Sequence, residues 1–91
     1  MDWAELLKSR DSILKIKAEV IERFKEIFPY EERGGKTYFS LPDGCTMSVF
    51  SFLEYGCLGM DYGEDDGDLF YPEDYPDFNS FFADMLAETE Q

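Results

Sequence analysis

Carboxylates are the side chains of this sequence with the most evident chemistry. Between Asp61 and Asp77 stand Asp61, Glu64, Asp65, Asp66, Asp68, Glu73, Asp74 and Asp77, with Tyr62, Phe70, Tyr71 and Tyr75 among them. Three kinds of chemistry could use such a run. Adjacent carboxylates such as Asp65 and Asp66 can divide general acid and base work, as in glycoside hydrolysis, but only at a set separation across a substrate cleft. Neighbours on a turn-rich segment are not held that way, and a chain of 91 residues offers little cleft, so no enzyme is expected. Secondly, if Tyr62 is counted as position one, then Glu64, Asp66, Gly67 and Glu73 fall at positions three, five, six and twelve of a calcium loop. Position one calls for aspartate and the flanks do not read as helices, so no metal and no other cofactor is expected. The third use is recognition of a cationic surface: carboxylates on a folded scaffold can imitate the phosphates of a nucleic acid, and the tyrosines between them can serve as anchors.

The residue types that are missing narrow the field further. There is no histidine, which removes the commonest general base near neutral pH and the Ser/His and Cys/His nucleophile pairs. Cys45 and Cys57, the two cysteines, cannot complete a four-ligand zinc site without histidine. The start of the chain, Met1-Asp2-Trp3-Ala4-Glu5, lacks the basic and apolar stretches of an export signal, and no apolar run is long enough to span a membrane. A cytoplasmic location in a bacterial host is therefore expected, with both cysteines reduced and buried as small apolar residues.

The charge is segregated along the chain. Lys8, Arg10, Lys15, Lys17, Arg23, Lys25, Arg33 and Lys36 are all the basic residues, and acidic residues balance them within the first 36 positions. The formal net charge of −13 thus belongs to residues 37 to 91. Acidic surfaces aid solubility, but thirteen carboxylates without a cation repel one another and oppose compaction. A fold that keeps them is expected to present them to a basic partner and not to nucleic acid itself, whose phosphates they would repel.

The elements that must carry these groups can be read from periodicity. Apolar residues make up 44% of the chain and aromatics 18%, enough for one folded domain over residues 1 to 91. Asp2 and Glu5 resemble a capping box, and Leu6, Leu7, Ile13, Leu14, Val20, Ile21, Phe24, Ile27 and Phe28 form the apolar side of an amphipathic helix. A gap at Ser9 to Ser12 could divide it, and Pro29 is expected to stop it. Arg33-Gly34-Gly35-Lys36 predicts a hairpin turn, Thr37 to Leu41 a strand, and Pro42-Asp43-Gly44 a second turn. Cys45 to Leu53 and Cys57 to Tyr62 predict two more strands. Gly63 to Asp68 reads as a loop at the tip of the sheet, with Leu69 to Tyr71 a possible fourth strand. Asp77 is expected to cap a last helix with Phe78, Phe81, Phe82, Met85 and Leu86 inward. The fold class predicted is α+β: an N-terminal helix, a three- to four-stranded antiparallel sheet and a C-terminal helix, both helices on one sheet face.

With this element order, the acidic stretch Asp61 to Asp77 and the closing Asp77-Phe78-Asn79-Ser80-Phe81-Phe82-Ala83-Asp84-Met85, the chain resembles the small acidic phage inhibitors known as anti-CRISPR proteins of the DNA-mimic type. The resemblance implies a non-catalytic inhibitor that occupies the basic nucleic-acid site of a nuclease or CRISPR effector. Its contact residues would be Asp61, Tyr62, Glu64, Asp65, Asp66, Asp68, Tyr71, Glu73, Asp74, Tyr75 and Asp77. Size and acidity equally suit a bacterial immunity protein that neutralises a toxin, and a structural or assembly subunit is the third alternative.

Overall fold

The computed structural model describes residues 2–63 and 66–90. The chain begins with α1 (Trp3–Leu7) and α2 (Ser12–Lys25). Five strands follow: β1 (Tyr30–Arg33), β2 (Lys36–Ser40), β3 (Thr46–Phe52), β4 (Cys57–Gly63) and β5 (Asp66–Phe70). A 3-10 turn at Pro72–Asp74 leads to α3 (Phe78–Glu88). The strands lie in the order β1-β2-β3-β4-β5, each antiparallel to the next, so the sheet is a simple meander. The α+β class is as expected from the sequence, with a strand count above the predicted three to four.

β1 is the strand that the sequence did not predict and β5 the one it predicted too short, each for a physical reason. β1, Tyr-Glu-Glu-Arg, is exposed along its whole length, so it carries no apolar alternation. It exists because Gly34 and Gly35 take positive φ values of 57° and 81°, the twist a two-residue hairpin needs. β5 takes in Asp66, Gly67 and Asp68, which read as loop, because the backbone of β4 pairs with it as far as Gly63 opposite Asp66. Charged side chains suit both edge strands, since they discourage pairing with another chain.

The helix expected to run as far as Pro29 is two helices, broken at the predicted gap. α2 stops at Lys25, where the N–H groups of Ile27 and Phe28 donate back to the Phe24 carbonyl. Its buried residues Ile13, Ile16, Val20 and Phe24 recur every three or four positions and form one stripe. Leu14 and Ile27, read as part of the apolar side, lie off this stripe and are exposed. Asp2 and Asp77 cap α1 and α3, accepting from the Glu5 and Ser80 N–H groups at 3.4 and 2.7 Å.

The core sits between the helices and one side of the sheet. Phe39, Met47, Val49, Leu58, Met60 and Phe70 of β2 to β5 meet Ile16, Val20 and Phe24 of α2 and Phe81 and Met85 of α3. Aromatic contacts fasten the layers, with Phe24 4.9 Å from Phe82 and 5.6 Å from Phe39 between ring centroids. Trp3 binds α1 to the segment before α3: its indole N–H donates to the Tyr75 carbonyl at 2.9 Å, and its ring packs on Phe81. The opposite side of the sheet carries no helix among the described residues. Cys57 is buried as expected, whereas Cys45 is exposed, because β3 begins one residue after it and it lies beyond the core.

Candidate functional site

Folding could have paired the cations of the first 36 residues with the carboxylates of the rest. It makes no such ion pair among the described residues, although Arg33 and Asp61 line one cavity. Among the described residues the ion pairs are Glu5 with Lys8, Asp11 with Lys15, Glu19 with Arg23, Lys25 with Glu22 and Glu32, and Glu31 with Arg33. Every one joins two residues of the balanced segment, mostly a turn apart on a helix. Lys25 to Glu32 at 2.9 Å ties α2 to β1. Arg23, Lys25 and Arg33 also lie over the rings of Phe78, Tyr30 and Tyr38. The carboxylates beyond position 36 whose side chains are described thus form no ion pair.

Two elements, β4 and β5, distribute the predicted site residues. Asp61 is exposed on the helix-free side of β4, level with Ser48 of β3, and accepts from the Gly63 N–H at 2.8 Å. Gly63 has a φ of 88°, so Asp61 helps to shape the turn out of β4. Asp66 opens β5 opposite Gly63, and Glu64 and Asp65 lie outside the described residues. Tyr62 is half-buried against the core. Asp68 pairs with Met60 and so faces the helix side, away from Asp61. The remaining candidates stand past the other end of β5, which at about 3.4 Å per residue is some 14 Å from Asp66 to Phe70. Tyr71 is half-buried there, and Glu73 and Asp74 are exposed on the 3-10 turn.

Two of these later residues hold the fold together. The Tyr75 hydroxyl donates to Asp84 Oδ2 at 2.7 Å, and its ring lies edge-on to Phe81. Burial, then the bond to Asp84 and the negative charges of Asp84 and Asp74, push the phenol up to about 12. Asp77 is occupied as the cap of α3, and the Ser80 N–H holds its carboxyl below the usual value. The apparent run from Asp61 to Asp77 is therefore two acidic areas at opposite ends of β5. Of the partial calcium loop, Tyr62 turns to the core and Glu73 lies beyond a whole strand from Asp66, while Glu64 lies outside the described residues.

Comparison with protein families, curated proteins and solved structures finds no match.

A further acidic group was not singled out from the sequence. Asp84 and Glu88 are four residues apart on α3, a spacing that places them on one side of a helix, and Asp68 of β5 faces them. The Glu88 carboxyl is raised above its ordinary value by burial first, then by the charges of Asp68 and Asp84 and a hydrogen bond with Asp68. Asp68 and Glu88 line an open cavity of about 320 Å³ together with Asp43, Cys45, Tyr62 and Thr89. Among the described residues no three acidic or cysteine side chains converge to hold a metal ion. No helix among them is long and apolar enough to cross a membrane.

Proposed function

We propose that this protein is a non-catalytic inhibitor whose acidic surface binds the basic nucleic-acid site of a partner protein, a nuclease or a CRISPR effector. The observation that supports it most is the pairing pattern: among the described residues every ion pair joins a cation and a carboxylate of the first 36 residues, and none reaches a carboxylate beyond them. A partner's lysines and arginines would relieve that repulsion, and long-range attraction would speed their encounter. Asp61, Asp68, Glu73 and Asp74 stand on strands and a short turn fixed by the core, so their charges are held in place before binding, in two areas at opposite ends of β5. Glu64, Asp65 and Asp66 enter this reading by their charge alone, with Tyr62, Tyr71, Tyr75 and Asp77 positioning the acidic groups more than touching the partner.

The test is an affinity capture from bacterial lysate at low and moderate salt, with mass spectrometry of the bound proteins and competition by duplex DNA. A nucleic-acid enzyme displaced by DNA is the expected result. Lysine at Asp65, Asp66, Asp68 and Asp74 together should abolish capture with the fold retained. A partner indifferent to DNA, or undiminished capture by the lysine variant, would overturn the proposal.

A further inference from the structure

The side of the sheet without helices is not a solvated polar face. Phe50, Phe52 and Tyr55 form a ladder of edge-to-face rings, at 5.1 and 6.0 Å between centroids. Phe52, Tyr55 and Leu69 are 42%, 66% and 48% exposed. An antiparallel sheet with one wet face ordinarily alternates polar residues outward, which these positions do not. Phe50 is seated on Gly59, the residue paired with it on β4: a Cβ at that glycine would fall on the ring. Leu69 is paired with the same glycine from β5, so the aromatic and aliphatic groups share one patch across three strands.

Carboxylates border this patch. Asp61 follows Gly59 on the same side of β4, and Glu54 sits in the turn that carries Tyr55. Neither forms an ion pair among the described residues, although Arg33 lines one cavity with Asp61. A second copy of this chain would set such carboxylates against their own kind, with a formal charge of −13 on each molecule. An apolar centre of aromatic side chains with a polar rim is the composition of a protein interface, and carboxylates in that rim suit a cationic partner.

Resting on the function proposed above, we infer that the helix-free sheet face is the apolar centre of the contact, and that its occupant is a partner segment with an apolar stripe flanked by lysine or arginine. The acidic groups attract and orient that segment, and Phe52, Tyr55 and Leu69 receive its stripe.

Two synthetic peptides of equal length and charge test this, one a leucine–lysine amphipathic helix and the other with serine in place of leucine, each titrated calorimetrically at moderate salt. The leucine peptide should bind about tenfold more tightly or better. Phe52→Ser with Leu69→Ser should bring its affinity down to that of the serine peptide, with the melting curve checked by circular dichroism. Tyr55→Ser, at a turn position, supplies a second variant should the double substitution unfold the sheet. Equal binding of the two peptides, or a leucine preference untouched by these variants, would overturn the inference and leave the acidic-surface reading standing. Failure of both peptides to bind would remove both. A dimer in sedimentation that Phe52→Ser and Leu69→Ser disperse would put a second copy in the partner's place and equally overturn it.

Discussion

Glu88 is the residue at which the unneutralised charge bears most directly on stability. Its carboxyl holds a proton more tightly in the fold than in the unfolded chain, so unfolding releases that proton and stability falls as pH rises. The favourable contribution is full below the ordinary value of 4.5 and lost as pH rises through the elevated one. Glu88→Gln, which cannot ionise, is expected to melt higher than the parent at pH 7, with the difference vanishing near about pH 4. Melting curves across that range would refute it if the two proteins coincided throughout. Asp77 has the opposite sign: its lowered carboxyl adds stability above 3.8 that is lost as pH falls through the folded value. The two cysteines separate at this scale too. Burial, with a small opposing effect from the Tyr71 hydroxyl, raises the Cys57 thiol, while Cys45 is exposed in the turn before β3. A thiol reagent in native buffer should modify Cys45 rapidly and Cys57 only at the rate of unfolding; simultaneous loss of both would contradict the burial of Cys57. Nothing in the residue types distinguished these cysteines. The difference comes from where β3 starts, which backbone pairing decides.

Among the elements, α3 depends on its cap and its aromatic stripe. Asp77 accepts the Ser80 N–H, and Asp77→Ala should lower the melting temperature by a few degrees and fray the start of the helix. Phe81, wholly buried between Trp3, Phe70 and Tyr75, is a harsher site, where alanine should cost about 3–5 kcal/mol in denaturant unfolding. A loss well below that range would mean the layers are less tightly joined than the ring contacts imply. α3, β3 and the Gly34-Gly35 hairpin were legible in the sequence because local signals agreed: a capping aspartate before a three-four apolar spacing, strict alternation, and a glycine pair. β1 and most of β5 were not legible, since Tyr-Glu-Glu-Arg and Asp-Gly-Asp carry no apolar face. Such edge strands are specified by their neighbours and by the hairpins joining them.

For the molecule as a whole, the sequence located the net charge but not its arrangement. Asp61 to Asp77 is one stretch in sequence and two areas in space, because β5 lies between them and strand alternation turns Asp61 and Asp68 to opposite sides. The apolar sheet face stayed hidden for a similar reason: Phe50 and Phe52 could be assigned to a side, but not known to lack a helix over it. The charge arrangement has a consequence that needs no partner. Carboxylates beyond position 36 repel one another across the surface, and salt shortens the reach of that repulsion from about 30 Å at 10 mM to about 3 Å at 1 M. The ion pairs that salt would weaken are exposed ones, each worth ~1 kcal/mol or less. Repulsion among thirteen like charges is expected to outweigh them, so the melting temperature should rise with sodium chloride at pH 7. Lysine at Asp65, Asp66, Asp68 and Asp74 should flatten that dependence by removing part of the repulsion. A melting temperature that falls with salt would mean the helical ion pairs dominate, and that the acidic segment imposes little strain for a partner to relieve.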